Sequence, residues 1–205
     1  MAGSVSLLAV SKLQPPEAVR DAFHAGQLSF GENYVQEALD KIAVLADLRS
    51  QLQWHLIGPL QSNKTRAVAE AFDWVHSVDR LKLAERLSAQ RPAGMAPLQV
   101  CVQVNVSGEA SKSGVPLAEA PALARAVAGL PGLRLRGLMA IPAPASGLAA
   151  QRVPYRAMRE LFEVLVAEGL ALDTLSMGMS DDLEAAVAEG ATIVRVGTAI
   201  FGRRG

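Results

Sequence analysis

The sequence predicts an α/β fold, a single (β/α)8 TIM barrel occupying residues 1–205, on three observations. Short apolar, β-branched runs alternate with amphipathic helical stretches along the whole chain. Eight such runs are present, the number that closes a barrel of parallel strands. No glycine-rich G-x-G-x-x-G turn follows the first run, which argues against a doubly wound open sheet.

The strand candidates are residues 6–10, 27–30, 53–57, 74–77, 99–106, 133–141, 174–179 and 192–196. In the first, LLAVSK, period-two alternation puts Leu8, Val10 and Lys12 on one side. After the second, Gly31 supplies a turn and Asn33 enters a helix, ENYVQEALDKIAVLADL, whose apolar face is Val35, Ala38, Leu39, Ile42 and Leu45. The fifth, QVCVQVNV, alternates valines with Gln99, Cys101, Gln103 and Asn105. That predicts a polar set pointing into the barrel, with Asn105 nearest its mouth. Residues 91–97, RPAGMAP, read as a helix-to-strand turn, and 141–150, IPAPASGLAA, as a loop at the opposite, mouth end. RAMRELFEVLVAEG carries an apolar face of Met158, Leu161, Phe162, Leu165 and Val166 and stops at Gly169. Asp181 with Glu184 matches a capping box, and Gly190 ends that helix. In the last strand, TIVRVG, Ile193, Arg195 and Gly197 share one face, and Val194 and Val196 share the other. Seven helices between eight strands leave the seam between last and first strands without a covering helix. Parallel sheets are normally covered on both faces, so an exposed apolar strip, a partner chain there or an incomplete N-terminus is expected. The chain is otherwise expected to be a monomer.

Composition narrows the function. Twenty basic and 20 acidic residues give no net charge, so nothing favours nucleic acid or an anionic membrane. With two Trp, two Tyr and five Phe, stacking platforms for single strands are not expected either. The lone cysteine, Cys101, excludes an intrachain disulfide and reads as a buried reduced thiol. His24, His55 and His76 lack metal-ligand spacing. No apolar run reaches the roughly 20 residues of a membrane span, and MAGSVSLLAV lacks a charged leader, so a cytoplasmic protein is expected.

Polar residues cluster at strand exits, where such barrels carry their chemistry. Lys12 follows the first strand; it is either a solvated lysine or a desolvated amine able to attack an aldehyde. Arg195 points inward, where its permanent charge needs an acceptor, either a structural carboxylate or a ligand atom such as a pyridine nitrogen. Ser180, Gly197 and Thr198 leave the last two strands, the usual phosphate position, although Ser180 also suits simple helix capping. His55, taken alone, reads more readily as a satisfied core histidine than as a catalyst.

The strings AVSK, FGENYVQE, HLIGPLQSNK, GLMAIP, SMGMSDDLEAAVAEG and VRVGTAIFG, in this order from Leu7 to Gly202, resemble the pyridoxal phosphate homeostasis proteins. That family, also called the proline synthetase co-transcribed family, is related to the barrel domain of alanine racemase. The resemblance implies a type III pyridoxal-phosphate barrel that binds pyridoxal 5'-phosphate and buffers or delivers it, without established catalysis. It implies a covalent aldimine on Lys12, phosphate contacts from Ser180, Gly197 and Thr198, and Arg195 facing the pyridine nitrogen. Asn33, His55, Asn105, Met139 and Met177 lie in strings that match the cofactor's surroundings. The partners implied are pyridoxal phosphate itself and apoenzymes that use it. The family's helix before AVSK is absent, the same cover missing at the seam, and AVSKLQP stands where the family commonly has AVSKTKP. An amino-acid racemase, a Schiff-base aldolase and an interaction protein using the seam are the rival readings; Tyr34 and Tyr155 are the only tyrosines available to a racemase.

Overall fold

A computed structural model describes residues 5–109 and 112–202. Eight parallel strands close on themselves: β1 (Ser6–Val10), β2 (Ser29–Glu32), β3 (Gln53–Leu56), β4 (Trp74–Val78), β5 (Leu98–Asn105), β7 (Leu133–Ala140), β8 (Thr174–Ser176) and β9 (Ile193–Val196). The order β4-β3-β2-β1-β9-β8-β7-β5 is completed by a β4–β5 pairing, which is a (β/α)8 barrel. A two-residue strand, β6 (Val115–Pro116), adds to the far end of β5. Helices α1 (Pro16–His24), α2 (Val35–Val44), α3 (Thr65–Ala71), α4 (Leu81–Gln90), α5 (Ala120–Ala128), α6 (Leu148–Ala167), α7 (Leu183–Ala188) and α8 (Thr198–Phe201) lie between and after the strands.

Alternation along each strand produces two cores. Outward-facing residues such as Ala9, Val100, Val102, Val104 and Val194 pack with helix residues including Val19, Ala38, Leu123 and Met158. Inside the barrel, Leu8, Ile57 and Ile193 form a small apolar cluster with Val10 against it. Trp74, Cys101 and Met139 form another. Burial pushes the Cys101 thiol up to about 12, so it stays protonated and unreactive at neutral pH.

Several expectations need correction. β2 begins two residues later than the sequence suggests, and Gly31 belongs to the strand, paired with His55, rather than to a turn. A side chain at Gly31 would press on Leu8 and Ile57 inside the barrel, so the glycine serves close packing. β8 stops at Ser176 because Gly178, at φ 92°, turns the chain away. The mouth loop after β7 is shorter than residues 141–150, since α6 starts at Leu148. In α6 the half-exposed Val166 lies outside the buried face, whereas Tyr155 is buried in it. Asp181 is not the cap of α7: Asp182 is, and its carboxylate accepts from the Met179 backbone N–H at 2.7 Å. The seam between β9 and β1 is narrower than eight bare strands imply. Ala9, Val194 and Val196 are buried there, Phe201 of α8 packs against the core, and Val5 and Leu7 are the exposed apolar positions on β1 and just before it.

Glu189, at the C-terminal end of α7, is buried among three arginines of α6: Arg152 at 2.7 Å, Arg159 at 3.2 Å and Arg156 at 3.4 Å. Burial works to raise its carboxyl, but Arg152 and Arg159 outweigh that and hold it below the usual carboxylate range. A depressed folded value means stability that is present above the unfolded value, near 4.5, and lost as pH falls through the folded one. Glu189→Gln should therefore lower the melting temperature at pH 7 by roughly 2–4 °C, for a loss of about 1 kcal/mol. The gap from wild type should narrow in thermal scans taken at progressively more acid pH.

Candidate functional site

At the C-terminal end of the strands lies a cleft of about 200 Å³. Six of the ten residues singled out from the sequence line it: Lys12, Asn33, Ser180, Arg195, Gly197 and Thr198. Val10, Ile57, Ile141 and Met179 supply its apolar wall.

The turn that carries Lys12 is held on several sides. Ser11 N donates to Gly31 O at 3.0 Å, and Gln14 N donates to Ser11 O at 3.0 Å. Leu13 sits at φ 62°, a left-handed conformation that a leucine adopts only when its surroundings impose it. Those surroundings come from α2. Leu13 N donates to Glu37 Oε1 at 2.5 Å, and Lys41 Nζ donates to Ser11 O (2.6 Å), Glu32 Oε1 (2.8 Å) and Glu37 Oε1 (2.6 Å). Ser11 Oγ donates to the same Glu32 oxygen at 2.6 Å. Burial pushes the Glu32 carboxyl up against the pull of Lys41 and Ser11. Lys41 was not anticipated as part of this region. Its signal was the helical spacing that sets it between the buried Ala38 and Leu45, on a face otherwise apolar.

Arg195 is buried, and among the described residues no carboxylate is hydrogen-bonded to it, although the Asp182 charge acts on it from a distance. Nη1 donates to Ser176 O at 2.6 Å and to Ser176 Oγ at 2.9 Å, and Nη2 donates to Ala140 O at 2.9 Å. Neutral acceptors hold the side chain without cancelling its charge, so a full positive charge stands in the cleft wall. Behind Ser176 a buried row of hydrogen bonds crosses the barrel interior. His76 Nδ1 lies 2.8 Å from Ser176 Oγ, and His55 Nδ1 lies 2.9 Å from His76 Nε2. Burial lowers His55 to about 3 and His76 well below its ordinary value, so both rings are neutral at pH 7. His76 and Ser176 were missed in the sequence because their partners come from different strands.

The phosphate-type loops are set by local geometry. Gly178 reverses the chain after β8, Asp182 ties down Met179, and Tyr155 OH donates to Asp182 Oδ2 at 2.6 Å. After β9, Gly197 lets that strand approach β1 closely: a Cβ there would lie 3.2 Å from Val10 O. Ser180 and Thr198 are exposed at the lip, and the first turn of α8 offers backbone N–H groups beside them.

Four expected residues lie elsewhere. His55 sits at the opposite end of the barrel, and Met139 is packed in the interior with Trp74 and Cys101. Met177 faces the helix layer. The Asn105 amide donates to Glu109 O (2.8 Å) and Lys112 O (3.4 Å), bracing its own loop instead of facing the cleft. Asn33 is placed through Gly58, where a Cβ would collide with the Asn33 backbone. Gly58→Ala should cost about 1–3 kcal/mol, measurable by denaturant titration, and should shift the Asn33 amide resonances away from their wild-type positions.

Among the described residues no group of His, Cys, Asp and Glu is arranged to hold a metal, and no helix is long and apolar enough to cross a membrane. The family profile described as "Alanine racemase, N-terminal domain" matches residues 1–205. The chain is 66% identical over 201 residues to the pyridoxal phosphate homeostasis protein of Pseudomonas aeruginosa, covering 98% of this chain and 85% of that one. It is 58% identical to the protein of the same name from Escherichia coli, covering 98% and 86%. The solved structure of PipY from Synechococcus elongatus with PLP bound superposes at a TM-score of 0.87, with 43% identity and coverage of 97% and 92%. Alanine racemase from Corynebacterium glutamicum, at 19% identity and a TM-score of 0.70, covers 99% of this chain and 57% of that one and shares the fold.

Proposed function

Since the chain belongs to the pyridoxal phosphate homeostasis family, with the alanine racemase N-terminal barrel, we propose that it binds pyridoxal 5'-phosphate through an imine to Lys12 Nζ and acts as a carrier that buffers and delivers it. The observation that carries this is the convergence, in one cleft, of an amine from β1, an uncancelled guanidinium from β9 and two hydroxyl-bearing turns after β8 and β9. That donor set fits an aldehyde, a ring acceptor nitrogen and a phosphate. The bound cofactor would supply an electrophilic carbon that exchanges reversibly between amines.

The chain's own residues decide how far that chemistry goes. Arg195 keeps its proton at any physiological pH, so it can donate to a ring nitrogen but cannot protonate it. A ring left unprotonated is a weak electron sink, which favours carriage over carbanion chemistry. Ser180, Thr198 and the turn N–H groups take the anionic end. The pinned turn around Leu13 keeps the Lys12 amine at the mouth rather than free in solvent. The racemase alternative gains nothing from the tyrosines: Tyr155 OH is spent on Asp182, with burial raising it further, and Tyr34 is exposed ahead of α2. The reading places the carrier in the cytoplasm as a monomer that hands its cargo to apoenzymes.

Incubation with pyridoxal phosphate should generate a visible absorption band, and borohydride should trap the adduct on the peptide containing Lys12. A band with the label on Lys64 or Lys112 instead would overturn the assignment. Racemisation of L-alanine at ordinary enzyme rates, followed by circular dichroism, would overturn the carrier.

A further inference from the structure

The turn that carries Lys12 has a conformation that its own residues do not favour. Ser11 O accepts from Gln14 N at 3.0 Å, which closes a four-residue turn with Lys12 and Leu13 at its two inner positions. Leu13 has φ 62° while Lys12 keeps a negative φ, the combination that marks a type II turn. Glycine or asparagine takes the second inner position of such a turn at little cost, and leucine does not. Packing of the leucine side chain does not impose the conformation either, since Leu13 is 61% exposed.

A type I turn, with negative φ at both inner positions, would suit leucine better. The two forms differ by a flip of the Lys12–Leu13 peptide, a change of about 150° in ψ at Lys12. In the observed form the N–H of that peptide points at α2, where Glu37 Oε1 accepts it at 2.5 Å. A flip would turn the N–H away and bring the Lys12 carbonyl towards the carboxylate, setting two acceptors against each other. Lys41, one helical turn beyond Glu37, donates to Glu37 Oε1 at 2.6 Å and to Ser11 O at 2.6 Å. A single i,i+4 pair on α2 therefore grips the peptide group on each side of Lys12.

We propose that Glu37 is a positioning residue for Lys12, holding the Lys12–Leu13 peptide in the orientation that keeps the lysine side chain set for the carbonyl it condenses with. The rotamers open to a side chain depend on its own φ and ψ, so a flip at ψ redistributes the Lys12 amine while its Cα stays in place. This role rests on the pyridoxal phosphate reading and deepens it. In that reaction Lys12 Nζ, unprotonated, attacks the aldehyde carbon. A C=N bond replaces C=O, and the oxygen leaves as water with the two amine protons. Glu37 acts on this step through the Leu13 amide.

Two measurements separate this role from support of the fold. In cofactor-free protein the Leu13 amide proton should resonate downfield, and Glu37→Ala should move it upfield. With pyridoxal phosphate added, borohydride trapping at successive times gives a limiting rate and a half-saturation. Glu37→Ala should lower the limiting rate on the order of tenfold, the size of left-handed strain at one residue. The half-saturation, which reports association through the anionic end, should stay unchanged. Glu37→Gln keeps a neutral acceptor and should lose about threefold. Leu13→Asn, which tolerates the left-handed form, should restore most of the rate in either variant. A limiting rate unchanged in Glu37→Ala, or a loss that Leu13→Asn does not repair, would overturn the positioning role. Should Glu37→Ala fail to fold, Glu37→Gln with and without Leu13→Asn decides by the same outcomes. Full adduct retained by Lys12→Ala would instead remove the imine reading, and the role of Glu37 with it.

Discussion

Lys12→Ala is expected to reduce the borohydride-trapped adduct from one per chain to background while leaving the fold intact. Lys12 lies in a turn whose backbone is held by bonds involving Ser11, Glu37 and Lys41. The variant retains Arg195, Ser180 and Thr198, so pyridoxal phosphate should still associate weakly and reversibly through its anionic end. The absorption spectrum should then be that of a free aldehyde, and dialysis should remove it. Lys12→Arg gives the sharper control, because it restores the positive charge but not a nucleophilic amine. If either variant kept the full reducible adduct, the amine at the end of β1 would have no part in binding.

The second large effect is on stability. Lys41→Met removes the cation that three buried or half-buried acceptors share, and leaves the fully buried Glu32 without a charge partner. Breaking a buried pair from one side costs about 3–5 kcal/mol. For a chain of this size that is a melting temperature lower by on the order of 10 °C. The sign of the pH dependence follows from Glu32, whose carboxyl burial already pushes up. A raised folded value means that stability present in acid is lost as pH rises through it. Without Lys41 the value rises further, so the variant's deficit should be largest above neutrality and should shrink as pH falls. Glu32→Gln in the same chain should recover part of the loss, with calorimetry across the pH range as the readout. A deficit independent of pH would mean that Lys41 acts by packing alone.

The barrel was legible in the sequence because its signals are local. Alternation in QVCVQVNV separates the outer valines from Cys101 and Gln103, and the strand-to-helix rhythm needs no distant partner. The positions of Lys12, Arg195, Gly197 and Ser180 could be read for the same reason: each lies where a strand ends, and closure brings strand ends together. What stayed hidden depends on register between strands. Trp74 pairs with His55 in one ladder, Ser176 with Met139 in another, and no run of residues announces that His76 will reach Ser176 across the interior. The sequence reading failed where one residue has two plausible duties. Gly31 suits a turn as well as a crowded strand, and of two adjacent aspartates the second makes the cap. Asn105 pointed to the mouth by alternation, but its amide was claimed by the loop that follows it.

Below the mouth cleft Leu8, Ile57 and Ile193 form an apolar layer inside the barrel, with Val10 beside them. For a bond made at the Lys12 amine as proposed, that layer lies beneath and the lip formed by Ser180, Met179 and Thr198 lies in front, so its hydrolysis is expected to respond to substitutions at the lip. A carrier of this shape is expected to lose its contents at the pace of its opening, and so at a pace that two short turns set rather than the staves.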